Sequence, residues 1–224
     1  MITYTLTRSK RKTTAIYVRD GKVEVRAPLH VPVHEIDRFV SEKEEWILKC
    51  LSTQHLAANK KENFMLNYDS SLTFRGNVYP IAQREGKRAG FDGEVFYLPP
   101  GLSSEQIKAT CIEIYKMLAK AHISSRVAFY SAQMKLTPAS VKINSAMKRW
   151  GSCSSQKSLN FSWRLIMADD NVIDYVVVHE LAHLKEMNHS ARFWAIVEGI
   201  LPNYRECKVK LKDLQRHLYG ENWG

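Results

Sequence analysis

No stretch of this sequence approaches the roughly 20 consecutive apolar residues that a membrane-spanning helix requires. The opening Met1-Ile2-Thr3-Tyr4-Thr5-Leu6 has no long apolar run of the secretory kind. The expectation is a cytoplasmic protein with no membrane partner. Cysteine is scarce: Cys50, Cys111, Cys153 and Cys207 are scattered without C-x-x-C spacing, which argues against a zinc ribbon and a disulfide framework and leaves reduced thiols. Acidic residues are too few to balance the basic ones, 23 against 33, so the chain carries a formal charge of +10 and should attract anions. Internal repeats and low-complexity segments are also missing.

What remains is a globular composition, 45% hydrophobic over 224 residues, long enough for one large domain or two small ones. Basic residues are densest near the start, where Arg8, Lys10, Arg11, Lys12, Arg19, Lys22 and Arg26 face only Asp20 and Glu24. Nucleic acid or nucleotide phosphate can bind such a surface; strand edges that use Lys and Arg against aggregation look the same. The segment from Thr3 to Arg26 reads as short strands with Asp20-Gly21 as a hairpin turn. An amphipathic helix is expected from Val33 to about Leu51, then a polar break at 58–63. A second group of strands follows at Ser71 to Phe74, Val78 to Gln83 and Glu94 to Leu98, and Pro99-Pro100-Gly101 is the expected domain boundary. This gives an N-terminal β-rich domain with one helix over 1–100 and a second domain over 101–224.

In the second domain, Ser103 with Gln106 has the form of a capping box that opens a helix to about Lys135, with a kink expected near Ser124-Ser125. Two strands, Val141 to Trp150 and Leu159 to Met167, then lead to Val176-Val177-Val178-His179-Glu180-Leu181-Ala182-His183-Leu184. On a helix, His179 and His183 lie one turn apart on one face and can share a metal ion, while Glu180 lies aside, where it can activate water without being a ligand. The apolar residues around the pair describe a buried helix, where bare imidazoles and a carboxylate need partners.

His189 can join them only if the helix stops. Lys185 to Asn188 is the expected stop, with Asn188 left-handed and Ser190 capping a new helix that carries Phe193 and Trp194. The spacing H-E-x-x-H-x-x-G-x-x-H of the metzincins is met except that Glu186 occupies the glycine position, and no Met-turn signature follows. His189 is the favoured third ligand; Glu198 on the next helix is its rival.

Several separate blocks now coincide: Arg149-Trp150-Gly151-Ser152-Cys153-Ser154, Arg164-Leu165-Ile166, Asp174 to Leu184, Asn188-His189-Ser190 and Phe193-Trp194. In this order and spacing they resemble the YgjP-like family of zincin-type hydrolases, whose members are described as metallopeptidases and which also carries a UTP pyrophosphatase assignment. The resemblance is tightest from about Lys142 to Trp194. It implies an α+β fold with a zincin-like C-terminal domain, the H-E-x-x-H helix beside an antiparallel sheet, one Zn²⁺ on His179, His183 and His189, and Glu180 as catalytic base.

Three neutral imidazoles leave an open position on zinc, where water becomes acidic enough to be activated near neutrality. That machinery suits a peptide carbonyl or a phosphoanhydride. The positive charge tilts the expectation toward a nucleoside triphosphate cut at an anhydride; the alternative is a polypeptide laid along a strand edge at Leu159 to Leu165. Arg149 and Arg164 are the candidate substrate clamps, with Tyr175 and Tyr204 as weaker ones. Gly151 is read as serving a turn and Cys153 as a small buried thiol.

Overall fold

The computed structural model describes residues 2–223. They form two compact units, residues 2–64 with 218–222, and residues 65–217 with Trp223. The α+β class stands, and among the described residues no helix is long and apolar enough to cross a membrane.

In the first unit, β1 (Thr5–Ser9), β2 (Ala15–Arg19) and β3 (Lys22–Pro28) form a sheet in the order β1-β3-β2. Asp20 and Gly21 both have positive φ, as the tight antiparallel β2–β3 hairpin requires. β1 pairs parallel to β3. Strand alternation sends Val23, Val25 and Ala27 to one face, where Leu6, Ile16 and Val18 join them under α1 (Val33–Glu42) and α2 (Glu44–Glu62).

The single helix expected to about Leu51 is two helices. Lys43 leaves helical geometry, its N–H bonding back to Val40, and this turn lets Ile36, Val40 and Ile47 all enter one core. The polar break expected at 58–63 is helix as far as Glu62: Ala, Lys and Glu are helix formers, and polarity alone does not end a helix.

The second unit starts with β4 (Ser71–Phe74), β5 (Asn77–Gln83), β6 (Gly90–Phe91) and β7 (Phe96–Leu98), ordered β4-β5-β7-β6. Pro99-Pro100-Gly101 lies inside this unit instead of parting two domains. The Tyr68 hydroxyl donates to the Pro99 carbonyl at 2.5 Å and accepts from the Leu102 N–H. α3 (Ser104–Met134) shares a core with the sheet: Tyr115 packs on Phe96 and its hydroxyl donates to the Thr73 carbonyl at 2.8 Å.

The Ser103–Gln106 capping box is formed in both directions. No break occurs at Ser124-Ser125; α3 runs on because Ile107, Cys111, Ile114, Tyr115, Ala119, Ile123, Val127, Tyr130 and Met134 keep helical spacing on one buried face.

β8 (Ser140–Asn144), β9 (Gly151–Cys153) and β10 (Ser158–Ser162) form a sheet in the order β8-β10-β9. It is mixed, not antiparallel: β8 runs parallel to β10, and only β9 is antiparallel to it. The expected connection at Gly151 is itself a strand. After Ser162 the chain tightens into a buried 3-10 turn, Trp163–Met167, started by the Ser162 hydroxyl accepting the Arg164 N–H. α4 (Asp170–Ala182), α5 (Ala191–Ile200) and α6 (Tyr204–Tyr219) follow, with Asp169 and Ser190 as the side-chain N-caps of α4 and α5.

α4 is held against α3 by a paired carboxylate. Arg126 donates to both oxygens of Asp174, at 2.5 and 2.7 Å, and the Tyr130 hydroxyl adds a bond at 3.0 Å. Asp174 is buried, so removing its cation leaves an uncompensated charge. Arg126→Met should destabilise the protein by about 3 kcal/mol, measured by urea unfolding at neutral pH.

A second pair joins Arg75 to Asp170 in the first turn of α4. The Arg75 hydrogen bonds hold the Asp170 carboxyl below its usual pKa. Its stabilising contribution is therefore complete above the unfolded value of about 4 and lost as pH falls through the lower folded value. The stability gap between the native protein and Arg75→Gln should be open at pH 6 and narrow progressively as pH falls below about 4, in thermal melts across that range.

Candidate metal centre

α4 ends at Ala182, with His183 as its cap, earlier than the expected stop. Asn188 is not left-handed; among the described residues positive φ outside glycine occurs only at Asp20, Arg75, Lys135 and Lys157. The reversal is made by tight turns instead, with the Leu184 N–H bonding to the Leu181 carbonyl and those of Lys185 and Glu186 to Ala182. The Ser190 hydroxyl then accepts the Phe193 N–H and starts α5, leaving His189 at the corner.

This path gathers His179, His183 and His189, whose candidate ligand atoms all lie within 4.8 Å of one another. The Nε2 atoms of His179 and His189 are 3.0 Å apart. Nδ1 of His183 lies 3.0 Å from the Glu186 carbonyl. Donation there fixes the tautomer and leaves Nε2 as a lone-pair donor, the outer-sphere arrangement of metal-ligating histidines. Glu186, the departure from the metzincin glycine, thus contributes its backbone.

Burial, reinforced by His183, His189 and Lys208, pushes His179 down to about 3, and burial lowers His189 as well. Nδ1 of His179 is buried without a hydrogen-bond partner. Convergent neutral imidazoles with no protein cation among them fit a divalent metal ion.

Two aromatic supports were not legible as parts of the site. Phe193, fully buried, packs against all three imidazoles at centroid distances of 4.5 to 4.8 Å. His189 also stacks on Trp194 at 5.7 Å, Trp194 on Tyr204 at 5.3 Å, and Tyr204 on Tyr175 at 6.3 Å. Since Tyr175 stands one turn before His179, this stack ties the corner back to α4 through α5 and α6. In the sequence, Phe193 and Trp194 show as an apolar side of a helix and as one block of the family resemblance, with nothing to say that they touch the imidazoles. Lys208 lies over the Trp194 ring at 4.8 Å and is the cation whose field reaches His179 and His189.

Glu180 is 5% exposed, and burial pushes its carboxyl up to about 7. Gly151 explains how a strand passes over it. A methyl group added there would lie 2.5 Å from Glu180 Oε1 and 2.6 Å from Cγ. Gly151 thus serves close approach rather than a turn, and its φ is not positive. Cys153, two residues on, is held protonated by burial and by the Glu180 charge, and stands outside the histidine group.

Of the two expected arginine clamps, Arg164 is taken up elsewhere. Arg164 is buried, donates to the Ser145 carbonyl at 3.0 Å and the Trp223 carbonyl at 3.5 Å, and lies over the Trp163 ring. It ties down backbone oxygens. Arg149 is exposed just before β9, with no ion pair or hydrogen bond among the described residues. Tyr175 is buried and pushed up to about 12, and Tyr204 is buried in the stack. Glu198 is paired with Arg205 at 2.7 Å.

The family model described as YgjP-like, metallopeptidase domain, matches residues 12–214. Among solved structures, the chain is similar to the metallopeptidase zymogen of Pyrococcus abyssi abylysin, with 20% identity over 41% of this chain and 92% of that one and a TM-score of 0.38. For the metallopeptidase zymogen of Methanocaldococcus jannaschii jannalysin the values are 19%, 41%, 94% and 0.37. No curated protein matches the chain.

His189→Ala should lose zinc affinity well beyond the roughly 10- to 100-fold expected when an outer-sphere support such as Trp194 is cut to Ala. Glu198→Ala should leave it unchanged. Competition titration against a chromogenic chelator measures all three variants, and zinc loss confined to Glu198→Ala would reverse the ligand assignment.

Proposed function

Because the chain belongs to the YgjP-like family, a family of metal-dependent hydrolases of the metallopeptidase kind, we propose that it is a zinc peptidase that takes polypeptide as an added strand on β9. His179, His183 and His189 are the zinc ligands in this reading and Glu180 the general base. The observation that carries it is the approach of Gly151 to Glu180. β9 is an edge strand, since β10 already pairs on both sides. The edge expected at Leu159 to Leu165 is therefore filled; the sheet's edges are β8 and β9, and β9 is the one that passes against Glu180. An extended peptide can pair with such an edge through main-chain hydrogen bonds, which brings its carbonyls beside the base and the imidazoles.

When bound, zinc supplies a Lewis acid and makes its water acidic enough to be activated near neutral pH. The protein's own part is proton handling and exclusion of solvent. Glu180, poised near 7 by burial, takes a proton from the attacking water at a carboxylate oxygen and passes it to the leaving amide nitrogen. Phe193 and the covering strand keep bulk water from competing for that proton.

One observation favours a second reading, hydrolysis of a nucleoside triphosphate such as UTP: Lys208 sets a positive charge near two of the histidines. It stands without Arg164, whose guanidinium is bonded to the carbonyls of Ser145 and Trp223.

Zinc-loaded protein is offered unstructured casein and, separately, each nucleoside triphosphate, alongside Glu180→Gln. Casein fragments should appear, and the rate should fall about 100- to 10,000-fold in the variant while its zinc content is unchanged. Pyrophosphate release from UTP that disappears in the variant would transfer the site to the second reading. Hydrolysis that persists in Glu180→Gln would reject both.

A further inference from the structure

We infer that the outward face of the β1-β3-β2 sheet binds single-stranded nucleic acid. The argument concerns the first unit alone and does not depend on the hydrolytic site. Alternation commits one face of this sheet to the core, so the other is read directly from the register. β3 presents Lys22, Glu24 and Arg26; β2 presents Ala15, Tyr17 and Arg19; β1 presents Thr5, Thr7 and Ser9. The loop before β2 carries two further exposed lysines, Lys10 and Lys12.

Arg8 does not belong to this surface, because its guanidinium is taken up by the carbonyls of Pro28, Leu29 and Val31. Of the remaining cations, Arg26 alone has a carboxylate partner among the described residues, Glu24, which also accepts from Thr7.

Two features select a nucleic acid. Arg19 and Arg26 both lie against the Tyr17 ring, at 5.1 and 4.9 Å from its centroid, so the cations are gathered around one aromatic surface. Residues two apart on a strand are separated by about 7 Å, a spacing comparable to that of neighbouring phosphates along an extended single strand. A ring set among such cations is the pattern of proteins that stack unpaired bases while following the backbone electrostatically. Tyr17 can reach the face of a base only where that base is unstacked, which favours a single strand over a duplex. The face has no large aliphatic residue to insert into a lipid surface, and that argues against a membrane.

The test is fluorescence anisotropy of a labelled oligo-dT with the full chain over a salt series. Arg19→Glu/Lys22→Glu, Lys22→Glu alone and Tyr17→Ala are compared with it, each verified by its unfolding curve. With three or four phosphate contacts, log affinity against log salt should have a slope of about −2 to −3. The double variant should bind at least tenfold more weakly with a shallower slope. Lys22→Glu, at the exposed hairpin, should move in the same direction to a smaller extent. Tyr17→Ala should lose about fivefold or more through lost stacking with the slope preserved. Absent binding, salt-independent binding, affinity unchanged in the variants, duplex bound as tightly as the single strand, or anionic vesicles bound in preference would each overturn the assignment.

Discussion

The fork of Arg126 on Asp174 is the contact on which the histidine helix depends. α4 is buried along most of its length, and an apolar helix in an apolar setting is poorly fixed in rotation, since one greasy side packs much like another. A carboxylate that must find its cation removes that freedom. With 100° per residue, His179 and His183 project about 140° and 180° from Asp174, so seating Asp174 on Arg126 aims the imidazoles the opposite way. The Arg75 pair at the first turn and the Asp169 cap, itself bonded to Lys210 at 3.0 Å, hold the start of the same helix.

That anchoring offsets a cost incurred at the other end. Two imidazoles and a carboxyl sit against Phe193 and the β9 backbone, and burial drives all three toward their uncharged forms. Such groups do not stabilise a fold by themselves. They persist because packing elsewhere determines their positions: the floor under the rings, the stack from His189 through Trp194 and Tyr204 to Tyr175, and the glycine that admits Glu180. A divalent cation completes this environment electrostatically, since neutral imidazole is the form that a metal takes.

What could be read in the sequence was local. Ser103 with Gln106, Ser190 and Asp20-Gly21 act on neighbours within a few residues, and each does in the structure what its type and spacing imply. The two histidines one turn apart belong to the same class. Features made by distant residues were illegible. Arg164 was read as a clamp because an arginine near a motif looks available, whereas Ser145 and Trp223, far apart in the chain, consume it. β9 was read as a connection because three residues carry no periodicity, and Gly151 as a turn because glycine is most often one. The strand edge was placed on β10 because nothing in the sequence shows that a parallel strand, β8, fills its other side. Lys43 parts α1 from α2 for a reason that lies in the sheet beneath them.

The same distinction governs the charge. A net +10 invites an anionic substrate, but its weight depends on where the cations point. In the second unit, four arginines are paired: Arg126 with Asp174 and Arg164 with backbone oxygens in the interior, and Arg75 with Asp170 and Arg205 with Glu198 at the surface. Lys208 is a cation whose field reaches His179 and His189. In the first unit, three of the early cluster, Arg19, Lys22 and Arg26, stand on one sheet face, two of them against Tyr17, with Glu24 partnered by Arg26. Composition counts both populations alike. Their positions separate them: on the N-terminal sheet Arg19, Lys22 and Arg26 share one face, whereas in the second unit the field of Lys208 reaches His179 and His189.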